Sequence, residues 1–269
     1  ACVWRINHDP KIEQRMNEGI ALITAAQQPD GYLSTMPLAK GQPRFQDPKD
    51  HEIYNMGHLL TAGVIHYRMT GNDALLKIAK RTGDFLCANV GISVKPYFAH
   101  NPSAIMGLVE LYRLTGEKRY LQCAQLIVDR RGENPQKRSR EQYQTGMEGT
   151  DYIQDRVPVR KSSEIVGHNV FFTYLYTGVG DLVAESGEDE LGSALGRLWT
   201  DMTERKMFIH GGVSAIPSGI SSNKDLVNEA AGAPYQLPNG SCYNETCGQI
   251  GAFMWGYRML VNHPDGQYA

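Results

Sequence analysis

Apolar residues recur at three- and four-residue intervals along most of the chain, the spacing of helices with one face turned inward. The first such run follows Asp9-Pro10, a cap and first-turn pair, and extends to about Gln27 with Ile12, Met16, Ile20 and Ile23 on one face. The turn Gln28-Pro29-Asp30-Gly31 then places Tyr32 just beyond the helix. Residues 34–50 are polar and proline-bearing and read as a loop. Further helices are expected over about 51–69, 72–89, 102–114 and 117–130.

Part of this pattern is repeated. Tyr67-Arg68-Met69-Thr70-Gly71 returns as Tyr112-Arg113-Leu114-Thr115-Gly116, each copy followed by an amphipathic helix. Ala184-Glu185-Ser186-Gly187-Glu188 starts a looser third copy leading into a helix over 189–206. Two helices per unit at such a period mean stacked helical hairpins, in a solenoid or a closed ring. Tyr54, Gly57, Gly63, Tyr174, Tyr176, Gly178 and Gly180, inside the longer helices, suit crowded inner helices. The expected fold is all-α, an (α/α)6 toroid of hairpins forming one domain over 1–269. Two long loops interrupt it, 132–160 and 211–243, and loops of that length in a compact domain are commonly functional or disordered.

The second loop runs into Gly240–Leu260, where Asn244-Glu245-Thr246-Cys247 precedes apolar residues at helical spacing, Ile250, Phe253, Met254, Tyr257 and Leu260. Glu245 and Cys247 therefore fall at a helix start, where free N–H groups favour anions. A carboxylate and a thiol so placed could bind a soft divalent cation such as zinc, or be a helix-starting acid beside a free cysteine.

Composition narrows the partners. With 21% charged residues and a formal net charge of −2, nothing points to nucleic acid or an anionic membrane. No apolar run approaches the ~20 residues that span a bilayer. The start, Ala1-Cys2-Val3-Trp4, shows no initiator Met or signal-peptide pattern and reads as processed or cut. Five cysteines (2, 87, 123, 242 and 247) are too few and too odd a set for a disulfide framework, and Cys87 and Cys123 read as buried free thiols. The compartment stays open between a bacterial cytoplasm and a periplasm, and a homodimer stays open too.

Glu229 is a lone acid in an uncharged neighbourhood reaching to Asn244. Partial burial away from cations favours a neutral carboxyl, the form a general acid needs. His51 begins a helix, with His58 on the same face, but the spacing is not His-Glu-x-x-His and a metalloprotease is not expected. His168 follows Gly167, and His100 ends a loop. Each is read either as a hydrogen-bonded structural histidine or as part of a cavity lined with groups suited to sugar hydroxyls. No glycine-rich phosphate loop, Gly-x-Ser-x-Gly elbow or Cys-x-x-Cys pair is present.

Taken together, Ala25-Ala26-Gln27-Gln28-Pro29-Asp30-Gly31-Tyr32-Leu33, His51-Glu52-Ile53-Tyr54, Val166-Gly167-His168, Glu204-Arg205-Lys206-Met207 with Gly211-Gly212, and Leu237-Pro238-Asn239 before Glu245-Thr246-Cys247 resemble the catalytic domain of glycoside hydrolase family 127. That resemblance covers nearly the whole chain in order. It implies a retaining glycosidase of the bacterial β-L-arabinofuranosidase type, acting on oligosaccharides or glycans through a zinc-bound cysteine thiolate and a glutamic acid. Glu229 stands at the family acid/base's distance from the Glu-Thr-Cys motif, Glu245 and Cys247 match two zinc ligands, and His51, His100 and His168 match sugar contacts. The family nucleophile and a neighbouring cysteine ligand lie further downstream, and no Cys follows Cys247 here. The opening segment of the family also precedes Ala1, so a partial ring of about eight or nine helices is expected rather than twelve. Two other readings accompany this one: a non-catalytic carbohydrate-binding relative, and a toroid sugar epimerase using His51 and His168 as paired acid and base.

Overall fold

A computed structural model describes residues 1–47, 50–89, 102–132, 150–221, 223 and 225–268. The chain divides into two compact units, Ala1–Leu126 and Ile127–Ala269.

The first unit is helical. Helix α1 (Cys2–Asn7), which the pattern did not announce, precedes α2 (Pro10–Ala26), whose cap Asp9 accepts from Lys11 N–H at 2.8 Å. The expected loop 34–50 contains a short helix, α3 (Thr35–Lys40), closed by Gly41 at φ 62°. Helices α4 (Glu52–Thr70), α5 (Ala74–Asn89), α6 (Ser103–Thr115) and α7 (Lys118–Asp129) follow within two residues of expectation. Helix α4 packs on both α5 and α6, and Met56, Leu60 and Val64 of α4, Leu86 of α5 and Ile105 and Leu108 of α6 are all buried.

The repeated motif is a helix stop. Gly71, Gly116 and Gly187 take φ of 73°, 71° and 67°, the left-handed cap that a side chain disfavours. Each returns its N–H to the carbonyl four residues back, at 2.8, 2.7 and 2.9 Å. Thr70, Thr115 and Ser186 hydroxyls each accept the N–H two residues on, at 3.1, 3.2 and 3.3 Å. The arginines of the first two copies, Arg68 and Arg113, both reach Glu110.

Two of the matching segments meet inside this unit. Tyr32 is wholly buried, and its hydroxyl donates to Glu52, whose other oxygen accepts Phe45 N–H at 2.7 Å. Burial outweighs these donors and holds the Glu52 carboxyl above its ordinary range. The folded state therefore keeps a proton that the unfolded chain gives up, so stability falls as pH rises from the ordinary carboxylate range through the raised one. Tyr32→Phe removes a donor and should cost about 1–3 kcal/mol in urea unfolding. It should also carry that decline to higher pH; an unchanged pH profile would contradict the pairing.

In the second unit, α8 (Asn169–Ser186) is buried along nearly its whole length, with α9 (Asp189–Asp201) and α10 (Thr246–Asn262) against it. The expected helix 189–206 ends as an α-helix at Asp201 and continues as a single π turn to Lys206. Tyr176, Trp199 and Trp255 form its aromatic core, with ring centroids 5.0–5.1 Å apart. The expected structureless loop 211–243 instead contains an antiparallel hairpin, β1 (Ile216–Ile220) with β2 (Leu226–Ala230), in the register Ile216↔Ala230 and Ser218↔Asn228. Of the other expected loop, 133–149 lies outside the described residues.

Helix α10 begins as expected, but the apolar face that announces it looks outward: Ile250, Phe253, Tyr257 and Val261 are exposed. Its buried side is Gly248, Gly251, Ala252, Trp255, Gly256 and Met259. A Cβ on Gly248 would run into the Asn169 amide, which donates to Val213 carbonyl at 3.0 Å. The small residues let α8 approach closely, and periodicity alone does not say which side they serve. Gly248→Ala should lower unfolding free energy by about 1–3 kcal/mol through overpacking. An unchanged denaturant midpoint would contradict that close approach.

Candidate active site

The second unit brings Glu229, His168, Glu245 and Cys247 into one electrostatic neighbourhood. Glu229 is on β2, opposite Pro217 in the hairpin register, where the partner strand offers no N–H. Its backbone takes φ 49°, a left-handed conformation unusual for glutamate. Ser214 at φ 102° and Asn244 at φ 44° share this feature and are joined by Asn244 N–H to Ser214 carbonyl, 2.9 Å. Such backbone costs on the order of 1–3 kcal/mol per residue and gathers where function requires it.

The Tyr243 hydroxyl donates to Glu229 Oε1 at 2.8 Å. Oε2 stands 3.7 Å from His168 Nδ1, and the Glu229 side chain keeps 31% of its surface open. Among the described residues Glu229 is thus in no ion pair with Lys or Arg, and it is not remote from the Glu-Thr-Cys motif. His168 caps α8, and its Nδ1 is 3.2 Å from Asn228 carbonyl; a carbonyl only accepts, so that nitrogen carries the hydrogen. Bridging of His168 to Ala230 ties the start of α8 to the end of β2. Beneath the imidazole lies Tyr152, ring centroids 5.3 Å apart, its phenol pushed up by burial and by the Glu229 charge.

Glu245 is the cap residue of α10, and Cys247 lies in its first turn, exposed. The Cys247 thiol is held above its usual range by its hydrogen bond to Glu245, then by burial, the Glu245 charge and, more weakly, the Glu229 charge. Tyr243 is raised in the same way, first by its bond to Glu229 and then also by Glu245 and Cys247. An excess of negative groups at one place favours a proton or a cation there. Glu245 Oε2 is buried with no hydrogen-bond partner among the described residues, an orphaned acceptor that a cation would satisfy. Carboxylate oxygen and thiolate sulfur are both zinc donors, so this pair fits two positions of such a site. Among the described residues no group of three or more His, Cys, Asp and Glu side chains is placed to hold a metal.

His51 belongs to the first unit, as the cap of α4 at φ 52°, with its ring 6.0 Å from Tyr54, which meets His58 edge-on at 4.4 Å. Burial pushes the His58 imidazole down, which favours its neutral form. His100 lies outside the described residues. The sequence reading assigned no role to Tyr243, Tyr152 or His210, whose Nε2 is 3.1 Å from Asn244 Nδ2. The position of Tyr243 two residues before Glu245 was the available signal.

Comparison with known proteins shows the family. A family model described as β-L-arabinofuranosidase, GH127 catalytic domain, matches residues 1–269. A non-reducing end β-L-arabinofuranosidase of Bifidobacterium longum subsp. longum is 33% identical over 278 residues, 97% of this chain and 41% of that protein. The crystal structure of a GH127 β-L-arabinofuranosidase from Geobacillus stearothermophilus T6 superposes with TM-score 0.83 at 32% identity, over 97% of this chain and 42% of that one. A second GH127 β-arabinofuranosidase structure gives TM-score 0.83 at 32% identity, over 99% and 40%. The chain spans about two fifths of the length of these relatives. Its helices accordingly carry part of an (α/α) toroid.

Proposed function

Because the chain belongs to the glycoside hydrolase family 127 catalytic domains, we propose that the polypeptide containing it is a retaining glycosidase that removes β-L-arabinofuranose, or a related rare plant-wall sugar, from glycans, with Glu229 as acid and base. The observation that carries this reading is the Glu229 carboxyl, fixed at Oε1 by Tyr243 and sharing its electrostatic surroundings with Glu245 and Cys247.

Tyr243 occupies Oε1, which leaves Oε2 as the atom that holds the transferable proton. As a nucleophile of the full polypeptide bonds the anomeric carbon and the bond to the glycosidic oxygen breaks, that proton passes to the leaving oxygen, and Glu229 becomes a carboxylate. The Tyr243 hydroxyl keeps its hydrogen bond to Oε1, and His168 Nδ1 stands 3.7 Å from Oε2. In the second half-reaction Glu229 takes a proton from water as the water oxygen bonds the anomeric carbon, and the bond from that carbon to the nucleophile breaks and frees it. His168, with its ring beside the acid, is assigned to sugar hydroxyls. Glu245 and Cys247 would hold zinc, which when bound keeps a thiol deprotonated near neutral pH and reverses the local bias toward protons.

Assay of the full polypeptide with an aryl β-L-arabinofuranoside tests this. Aryl release should fall to background after chelation and return with zinc, with zinc found in the active protein by atomic spectroscopy. Sugar binding without release, indifferent to chelator, would instead identify a carbohydrate-binding relative.

A further inference from the structure

The proposed site uses none of the three cysteines of the first unit, and two of these lie on neighbouring helices. Cys87 is half-buried near the end of α5, and Cys123 is buried on α7 with 6% of its surface exposed. The two helices are clamped in register. Tyr120 hydroxyl donates to Asp84 at 2.8 Å, and Arg119 pairs with the same carboxylate at 2.9 Å. A Cβ on Gly83 would come 3.1 Å from the Tyr120 ring, so the backbone of α5 lies close to α7 there. Moving three residues along each helix from Asp84 and Tyr120 reaches Cys87 and Cys123, which share a face with them. The Cys87 thiol is 3.7 Å from Arg119 carbonyl, one turn before Cys123 on α7. We propose that Cys87 and Cys123 are a redox pair, two free thiols that an external small-molecule disulfide converts to a bond joining α5 to α7.

The chemistry is a two-step exchange. The Cys87 thiolate attacks one sulfur of the small disulfide, forming a mixed disulfide and expelling one thiolate. Cys123 then gives its proton to water and attacks the Cys87 sulfur, expelling the second thiolate, which takes up a proton. Two protein thiols are oxidised and one external disulfide is reduced to two thiols. The order follows exposure, since Cys87 is reachable and Cys123 is covered. The hydrogen bond from Cys87, together with burial, pushes the Cys123 thiol up. Capping Cys87 removes the larger of those two causes, so Cys123 is released to react at the moment it is needed.

The test is independent of glycosidase activity. The full polypeptide is incubated with oxidised glutathione, blocked with iodoacetamide, and digested for peptide mass analysis. A Cys87–Cys123 linked peptide is expected, reversed by dithiothreitol, with alkylated Cys123 falling at least roughly ten-fold. Cys123→Ser should trap glutathione on Cys87, whereas Cys87→Ser should leave Cys123 unmodified. The proposal is overturned if wild-type Cys87 and Cys123 both remain fully alkylated, if Cys87 stops at the mixed disulfide, or if Cys87 links to another cysteine.

Discussion

Glu229→Gln should lower kcat/KM of the full polypeptide for an alkyl β-L-arabinofuranoside by about 10²–10⁴-fold, the range of general acid–base catalysis. In free-energy terms that is about 3–5 kcal/mol of transition-state stabilisation. The substitution is nearly isosteric, and the glutamine carbonyl can still accept from Tyr243, so hairpin and fold should survive. What disappears is the proton delivered from Oε2 and the charge left behind on the carboxylate. Binding of the sugar should change far less than kcat, because the lost interaction belongs to the transition state. A variant of near wild-type rate would remove Glu229 from the chemistry whatever its surroundings.

Lys206→Met should destabilise the chain by about 3 kcal/mol, the low end for breaking a buried pair, because Asp201 keeps only the half-exposed Arg205, 3.7 Å away, as a cation. Lys206 and Asp201 are both 3% exposed, and their charged atoms are 3.2 Å apart. The ammonium also donates to Ile165 carbonyl at 2.7 Å, while the same Asp201 oxygen accepts Ile165 N–H at 2.8 Å. This cluster ties the π turn after α9 to the strand-like segment entering Gly167 and His168, so its loss should loosen the ring that stands beside Glu229. Methionine fills the space of the lysine stem but cannot neutralise Asp201. Urea unfolding should show the loss in the midpoint, and Asp201→Asn added to Lys206→Met should recover part of it. Equal stability of Lys206→Met and wild type would mean that solvent reaches the pair.

These two residues show what kind of information the sequence held. The helices were legible because their periodicity is long and their stops are marked by Thr-Gly or Ser-Gly, whose hydroxyl and left-handed glycine cap the same turn three times. The Glu245 and Cys247 pair was legible as a helix start, and Glu245 is indeed the α10 cap. Lys206, by contrast, stood inside a matching motif with no stated role, since nothing in a charged residue's neighbours says that it is buried. The outward apolar face of α10 was misleading for the converse reason: glycines carry no hydrophobic signal, yet they form its packed side. The β1–β2 hairpin was missed because Ser, Gly and Pro dilute its alternation, and its placement depends on the bridge from Ala230 to His168. Tyr243 was missed because a phenol's partner fourteen residues away is set by the hairpin and not by spacing.

The central claim is that Glu229 is the proton donor to the leaving oxygen, and the dependence of rate on leaving group tests it most directly. Wild type and Glu229→Gln are compared on β-L-arabinofuranosides whose leaving groups run from an alkyl alcohol to 2,4-dinitrophenol, at saturating zinc. Dinitrophenolate departs without a proton, so the deficit of the variant in the bond-breaking step should be largest with the alcohol and nearly vanish with dinitrophenol. A deficit of the same size across the whole series would contradict the assignment and leave Glu229 a structural partner of Tyr243.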